Sequence, residues 1–485
     1  MIIGREKEIR ILNELYRSGK SELVAICGRR RVGKTFLVDE VFKNKITFRH
    51  AGLSPIDDRY DPTAGNKKRT RNQLIHFCRS LEQQGEKEQK KPESWLEAFY
   101  LLEEFLKEKD DGESRIVVFL DEIQWICTPR SGFITGFEAF WNSWACHRKN
   151  IMVIVCGSSS SWIQDKLIHN HGGLYGRVTY EISLAPFSLY ECEKYFKSKG
   201  IETGRYEIVH IYMMTGGIPY YLNYFDRELS FYQNIDAMFF EEHAPLRNEF
   251  NHLFSLLFDD PDSCKSVITV LSTNNIGMTK DELLQKTDFS TDSSLAVHLK
   301  TLINSNFIIK YHSFGDKNKA FYKLVDPFCN FYLRFMNVWK GPKIRNWLNV
   351  MNSPSVKTWK EQAFVNVCFS HIQQIRTALG ISGSPTYESL WPIRDIEGQL
   401  ETQTDLIISR RDNIINMCEI KFCCDVFGAD KDYQLILEQR TKRLYEIIPK
   451  NTAVRKTLIT TFGLNSSIFY YDFINVVTLD DLFHA

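Results

Sequence analysis

Two short groups of residues carry chemistry in this sequence. The first is Gly28-Arg29-Arg30-Arg31-Val32-Gly33-Lys34-Thr35. Glycines at both ends let backbone N–H groups close around phosphate oxygens, a lysine supplies a point charge, and a hydroxyl can hold a divalent cation. The second is Asp121-Glu122, at the end of the apolar run Ile116–Leu120. A buried strand ending in two acids can position Mg²⁺ through Asp121 and polarise an attacking water through Glu122.

The flanking residues supply the elements that must hold these groups. Leu23–Cys27 is a short apolar run with the character of a buried strand, and Phe36–Phe42 has helical spacing. Strand, glycine-rich turn, Gly-Lys-Thr and helix form the P-loop arrangement, in which the helix N-terminus adds partial positive charge. Gly28, Arg29, Arg30, Arg31, Val32, Gly33, Lys34, Thr35 and Phe36 are therefore the expected nucleotide-binding residues, with Thr35 and Asp121 on Mg²⁺. Ahead of the strand, Ile9, Leu12, Leu15 and Tyr16 mark an amphipathic helix. Ile46–Phe48 predicts a second strand, and residues 51–70, with Pro55, Pro62 and Gly65, a loop. Lys67-Lys68-Arg69-Thr70-Arg71 has the composition of a solvated helix start, with a nucleic-acid patch as the alternative. Ser94-Trp95-Leu96-Glu97 and Ser188-Leu189-Tyr190-Glu191 are capping boxes, each opening a helix. Ile151–Cys156 is another buried strand; Ser158 or Ser159 beyond it could sense a terminal phosphate, or simply form a strand-to-helix turn. Arg177 follows His171-Gly172-Gly173 and has the chemistry of an arginine finger as well as that of a surface arginine.

Together with Leu174-Tyr175-Gly176-Arg177 and Gly216-Gly217-Ile218-Pro219, these motifs resemble the archaeal-type P-loop ATPases of the STAND branch, close to AAA+ proteins. The resemblance implies a five-stranded core, a helical lid, and Pro219 near the adenine.

Downstream, helices at 263–271, 279–286 and 290–304 precede two strands, 307–311 and 320–324, a winged-helix pattern. The third helix is nearly neutral, with Asp292, His298 and Lys300, whereas the wing carries Lys310, Lys317, Lys319 and Lys323. Packing against the ATPase core is the expected role, with DNA reading the alternative. Gly341-Pro342 marks a break.

From about residue 355 the pattern changes. Val356–Ile375 predicts a helix carrying Glu361, and Thr404–Ile408 and Ile414–Phe422 predict a hairpin turning at Arg411-Asp412-Asn413. In a hairpin symmetric about Asp412, Asp405 and Glu419 stand opposite each other, with Cβ atoms about 5 Å apart, and Lys421 shares their face. Two carboxylates and a lysine so placed can bind a divalent cation and activate water against a phosphodiester. The pattern resembles the PD-(D/E)XK nuclease fold, the usual companion of this ATPase family. It departs in having Thr404 before Asp405, and in Glu397 competing with Glu361 as the helix acid.

With 485 residues and 43% hydrophobic content, the chain can bury several cores. Lys+Arg of 61 against Asp+Glu of 60 gives a net charge of +1, so any nucleic-acid site must be a local patch. Twelve scattered cysteines without CxxC fit reduced thiols in a cytoplasmic protein, and no apolar run is long enough for a membrane span. The expected architecture is α/β: a P-loop parallel sheet with helical lid (1–200 and 201–260), then a winged helix with connecting helix (261–340) and a small α/β nuclease-like domain (355–485). The expected function is ATP hydrolysis as a conformational switch coupled to a nuclease-like domain on nucleic acid, with catalytic residues Glu122, Arg177, Asp405, Glu419 and Lys421. Phosphate-sensing Ser158, adenine-side Pro219, and metal ligands Asp405 and Glu419 complete the site set. The alternatives are a nucleotide-binding signalling scaffold with a degenerate nuclease fold, or a winged-helix DNA-binding regulator. ATP and Mg²⁺ are the expected cofactors; DNA or RNA and a protein partner are the candidate partners.

Overall fold

The computed structural model describes residues 2–54, 65–85, 91–158, 160–169, 172–258, 260–316, 318–337, 347–394, 400–465 and 472–484. Pro55, Pro62, Ser159, His171, Lys317, Gly341-Pro342 and Glu397 lie outside the described residues. The chain divides into two compact units, residues 1–186 with 251–261, and residues 187–250 with 262–485. The first unit's main segment therefore stops at Pro186, and residues 201–250 of the expected lid fall in the second unit.

In the first unit, α1 (Glu6–Tyr16) leads to β1 (Glu22–Cys27), α2 (Lys34–Phe42) and β2 (Ile46–Ala51). There follow α3 (Asn66–Gln83), α4 (Trp95–Lys109), β3 (Ile116–Asp121), α5 (Phe133–Ser143), β4 (Ile151–Gly157) and β5 (Tyr180–Ser183). The five strands form one parallel sheet in the order β2-β3-β4-β1-β5. β1, β3 and β4 are buried at every residue, which is why they read as continuous apolar runs without alternation. One face of the sheet packs on Leu74 and Phe77 of α3, Trp95, Phe99 and Leu102 of α4, and Phe137 and Trp141 of α5. Lys67 and Lys68 fall in the first turn of α3 and are exposed, a solvated helix start. Ser94 accepts from the Glu97 N–H at 3.3 Å, but the Glu97 carboxylate takes the Glu93 N–H rather than closing a box on Ser94.

The second unit opens with α6 (Leu189–Ser198), whose Ser188–Glu191 capping box is complete, then α7 (Arg205–Thr215) and α8 (Phe231–Ile235). A module of α9 (Pro261–Leu271), β6 (Met278–Thr279), α10 (Lys280–Lys286), α11 (Asp292–Asn304), β7 (Ile308–His312) and β8 (Ala320–Leu324) follows, its sheet ordered β6-β8-β7. Next come α12 (Pro327–Phe331), α13 (Pro354–Ser370) and α14 (Ile372–Ala378). The single helix expected over 356–375 is thus broken at His371, whose ring is committed to backbone groups. The last layer is β9 (Thr386–Arg394), β10 (Leu400–Arg410), β11 (Ile414–Lys421), α15 (Lys431–Ile447), β12 (Ala453–Thr460) and β13 (Asn475–Val477). Its mixed sheet has the order β13-β12-β11-β10-β9. Leu437 and Leu444 of α15 cover Ile407, Met417 and Leu458 on one sheet face.

Among the described residues, no helix is long and apolar enough to cross a membrane. All twelve cysteines are free thiols.

Candidate nucleotide site and C-terminal acidic pair

The turn after β1 needs left-handed backbone. Gly33 has φ 93° and caps α2, and Arg31 has φ 70°. A side chain at Gly28 would run into the Leu184 carbonyl. Lys34 is buried, and its Nζ donates to the Gly28 and Arg29 carbonyls at 2.9 and 3.1 Å. Burial pulls its pKa down, against the pull of Glu122 and Asp121. The lysine is thus held inside the loop that would wrap a phosphate chain.

Thr35 Oγ1 donates to Asp121 Oδ2 at 2.7 Å, joining the loop to the end of β3. Burial raises the Asp121 carboxyl, and neighbouring Glu122 pushes the same way, while the Thr35 hydrogen bond opposes them. A buried carboxylate touching a hydroxyl, beside a second carboxylate, fits a divalent cation with nucleotide phosphates. Mg²⁺ held there by Thr35 and Asp121 would neutralise phosphate charge.

Glu122 sits at φ 48°, which turns its side chain out of the strand direction. Its Oε2 accepts from Gln124 Nε2 at 2.5 Å and from Ser158 Oγ at 2.9 Å. Arg30 NH1 stands 3.6 Å from Oε1, and the guanidinium lies 5.1 Å from the Trp125 ring centre. The structure therefore brings together Arg30, Lys34, Thr35, Asp121, Glu122 and Ser158. Arg29 and Val32 are buried within the loop, whereas Phe36 is half exposed on α2. Arg177 is exposed in the turn before β5, its N–H donating to the Leu174 carbonyl. Pro219 begins a short helix of the second unit.

Two contributors escaped sequence reasoning. Gln124 bridges Glu122 and Ser158, yet a glutamine in a short helix gives no pattern to read. Arg5 is buried and donates to the carbonyls of Ala185 and Val32 at 2.7 and 3.4 Å, fixing the loop from behind. Its signal was Gly4-Arg5-Glu6, a left-handed entry into α1.

Residues 2–225 match the family described as "ATPase domain predominantly from Archaea". The chain belongs, through these residues, to that ATPase family. An uncharacterized protein of Methanocaldococcus jannaschii is 27% identical over 343 residues, 69% of each chain. An "uncharacterized ATP-binding protein" of the same organism is 38% identical over 45 residues, 9% of this chain and 76% of that one. The structure is similar to the Walker-type ATPase of Pyrococcus abyssi, with TM-score 0.48 and 20% identity over 69% of this chain and 96% of that one. The ATPase-family assignment thus joins the nucleotide site to a known enzyme class.

In the second unit the β10–β11 ladder pairs Leu406 with Cys418 and Ile407 with Met417, the register of a hairpin symmetric about Asp412. Beyond Leu406 the pairing passes to a side chain, as Ile420 N–H donates to Asp405 Oδ2 at 3.0 Å. Gln403 Nε2 stands 3.3 Å from Asp405 Oδ1. Glu419 is fully buried on the α15 face, where its Oε2 accepts from Arg440 at 2.6 Å and from the Tyr433 hydroxyl at 3.1 Å. Burial raises the Glu419 carboxyl, Asp405 adds to the rise, and Arg440 opposes it. Lys421 extends over the Tyr433 ring at 5.2 Å. Three of the four carboxylate oxygens are thus already engaged by protein donors, and among the described residues no cluster of three or more His, Cys, Asp or Glu is arranged for a metal. The pair fits a metal poorly in this arrangement.

The wing also departs from expectation. Tyr311 of β7 and Phe321 of β8 pack against Leu390 of β9, and Phe314 N–H donates to the Leu390 carbonyl at 3.1 Å. Lys323 is buried rather than presented on the wing; burial pulls it down to about 8, against the pull of Asp405, and its Nζ bonds the Asn275 carbonyl.

Proposed function

We propose that the chain is an ATP-driven switch in which nucleotide turnover at Lys34, Thr35, Asp121 and Glu122 governs a nuclease-like C-terminal domain that engages nucleic acid. The observation that carries the reading is the 2.7 Å contact between Thr35 and Asp121, with the buried Lys34 beside it. Lys34 would hold the β- and γ-phosphates, Thr35 and Asp121 the metal, and Glu122 the attacking water. Arg177 is proposed as the finger that meets transition-state charge. Lys34→Ala should abolish tight Mg-ATP binding measured by calorimetry in a folded variant. Unchanged affinity would sink the reading.

For the C-terminal domain, Asp405, Glu419 and Lys421 keep the nuclease-like order, but the Arg440–Glu419 pair favours binding over cleavage. That pair supports the second reading, a nucleotide-controlled scaffold with a degenerate nuclease fold. Mn²⁺-dependent cleavage of DNA or RNA, lost in Asp405→Asn, would return the domain to the nucleases. The regulator reading is weakened by the wing, whose apolar side is spent on β9.

A further inference from the structure

The second unit contains a cleft of about 710 Å³ that no motif foretold. Tyr206 and His210 of α7, Tyr232 of α8, Lys357 and Lys360 of α13, and Lys421 at the end of β11 line it. It is built around Phe422. The Tyr206 ring stacks on Phe422 with centres 5.1 Å apart and planes 6° from parallel, while His210 and Phe364 approach the same ring at 5.2 and 5.1 Å. His210 is 3% exposed, and its Nε2 has no hydrogen-bond partner among the described residues. Burial pulls His210 down to about 3, so the ring is neutral at physiological pH.

The charges are not balanced. The lining carries three lysines, Lys357, Lys360 and Lys421, and two acids, Glu361 and Asp425. Lys357 and Lys360 lie three residues apart on α13, which puts them on neighbouring turns of one helix face. Lysines and aromatic rings lining one opening match a backbone of phosphates with unstacked bases. Rings can take base faces only where the bases are free of a duplex stack. The volume is in the range that receives a nucleotide-sized group. Lys421, at the end of β11 two residues beyond Glu419, lies in this lining and lowers the Glu419 carboxyl through its charge.

We propose that this cleft binds an unpaired nucleic-acid strand, with Lys357 and Lys360 on its phosphates and Tyr232 against a base. The proposal rests on the nucleic-acid reading of the C-terminal domain and names the strand form that domain takes.

The test uses the full chain and a fluorescein-labelled oligothymidylate of about 20 nucleotides, followed by anisotropy at several salt concentrations. Lys357→Ala/Lys360→Ala should weaken binding and lower the slope of log affinity against log salt by about 1.4, the loss of two single-strand phosphate contacts. Tyr232→Ala should weaken binding by about fivefold or more, with the slope unchanged. Thermal melting of each variant checks that the fold is kept, and Lys357→Arg/Lys360→Arg should bind as the parent does. Unchanged affinity and slope in both alanine variants, with the parent binding the strand, would overturn the cleft while leaving the nucleic-acid reading standing. A blunt duplex bound as tightly, or AMP competing as well as the strand at equal phosphate concentration, would overturn the assignment to an unpaired strand. No binding of any oligonucleotide by the parent would remove both readings.

Discussion

Thr35 and Asp121, 86 residues apart, meet in a 2.7 Å hydrogen bond that ties the phosphate loop to the end of β3. The contact places a hydroxyl and a buried carboxylate where one metal could take both, since Mg²⁺ binds through one or two protein oxygens and completes its shell with phosphates and water. Asp121→Asn removes the charge and keeps the shape. In calorimetry the parent should bind ATP at least about tenfold more tightly with Mg²⁺ than with a chelator, and the variant should lose most of that difference. A variant with the parent's full Mg²⁺ dependence would take Asp121 out of the metal site.

Glu122 is oriented by two donors, Gln124 and Ser158, which share its Oε2. Glu122→Gln preserves size but removes the base. ATP binding should persist while hydrolysis falls at least about tenfold. Gln124→Ala, which removes only an orienting donor, should lower kcat with little change in KM. Equal turnover in Glu122→Gln and the parent would rule Glu122 out as the base.

The parallel sheet and the hairpin register were legible because their signals are local. Fully buried strands read as unbroken apolar runs, and the turn at Asp412 fixes which residues pair. The rest depends on groups far apart in sequence. Nothing around Arg440 says that it will reach Glu419, and nothing around Lys323 says that β8 will carry it inward beside Asp405. β9 was missed because Thr386–Arg394 contains Pro392 and little alternation, yet it supplies Leu390 to the wing. The cleft needs residues from α7, α8, α13 and the end of β11, none of which announces the others.

The Arg440–Glu419 pair gives a stability test. Glu419 is fully buried, so removing Arg440 leaves burial and Asp405 opposed mainly by the weaker pull of Lys421, and the carboxyl moves further up. Arg440→Met should destabilise the chain by about 3 kcal/mol in urea unfolding near pH 7. A carboxyl raised in the folded state is relieved when it takes a proton, so the deficit should shrink toward pH 5. Arg440→Met/Glu419→Gln should recover much of the loss. A deficit that is the same at both pH values would mean that Arg440 acts through packing alone.

His371 predicts a second, opposite pH dependence. Its Nε2 accepts the Leu189 N–H at 3.0 Å, satisfying an orphan donor at the start of α6, while Nδ1 holds its proton on the Val367 carbonyl at 2.9 Å. Both ring nitrogens are committed to the neutral form, and burial lowers the pKa from 6.5 to about 4. Above 6.5 the ring is neutral whether folded or unfolded, and it contributes no pH dependence. As the pH falls below 6.5 the unfolded chain takes up a proton that the folded chain refuses until about 4. Stability should therefore fall through that window, by about 3 kcal/mol in total from this one group. His50 and His210, both lowered to about 3 by burial, act with the same sign. His371→Gln offers an acceptor without a titrating ring. Its stability, followed by urea unfolding from pH 7 to pH 4, should fall less steeply than the parent's, by up to about 1.4 kcal/mol per pH unit. Parallel curves for the two proteins would show that His371 is not a source of the acid sensitivity.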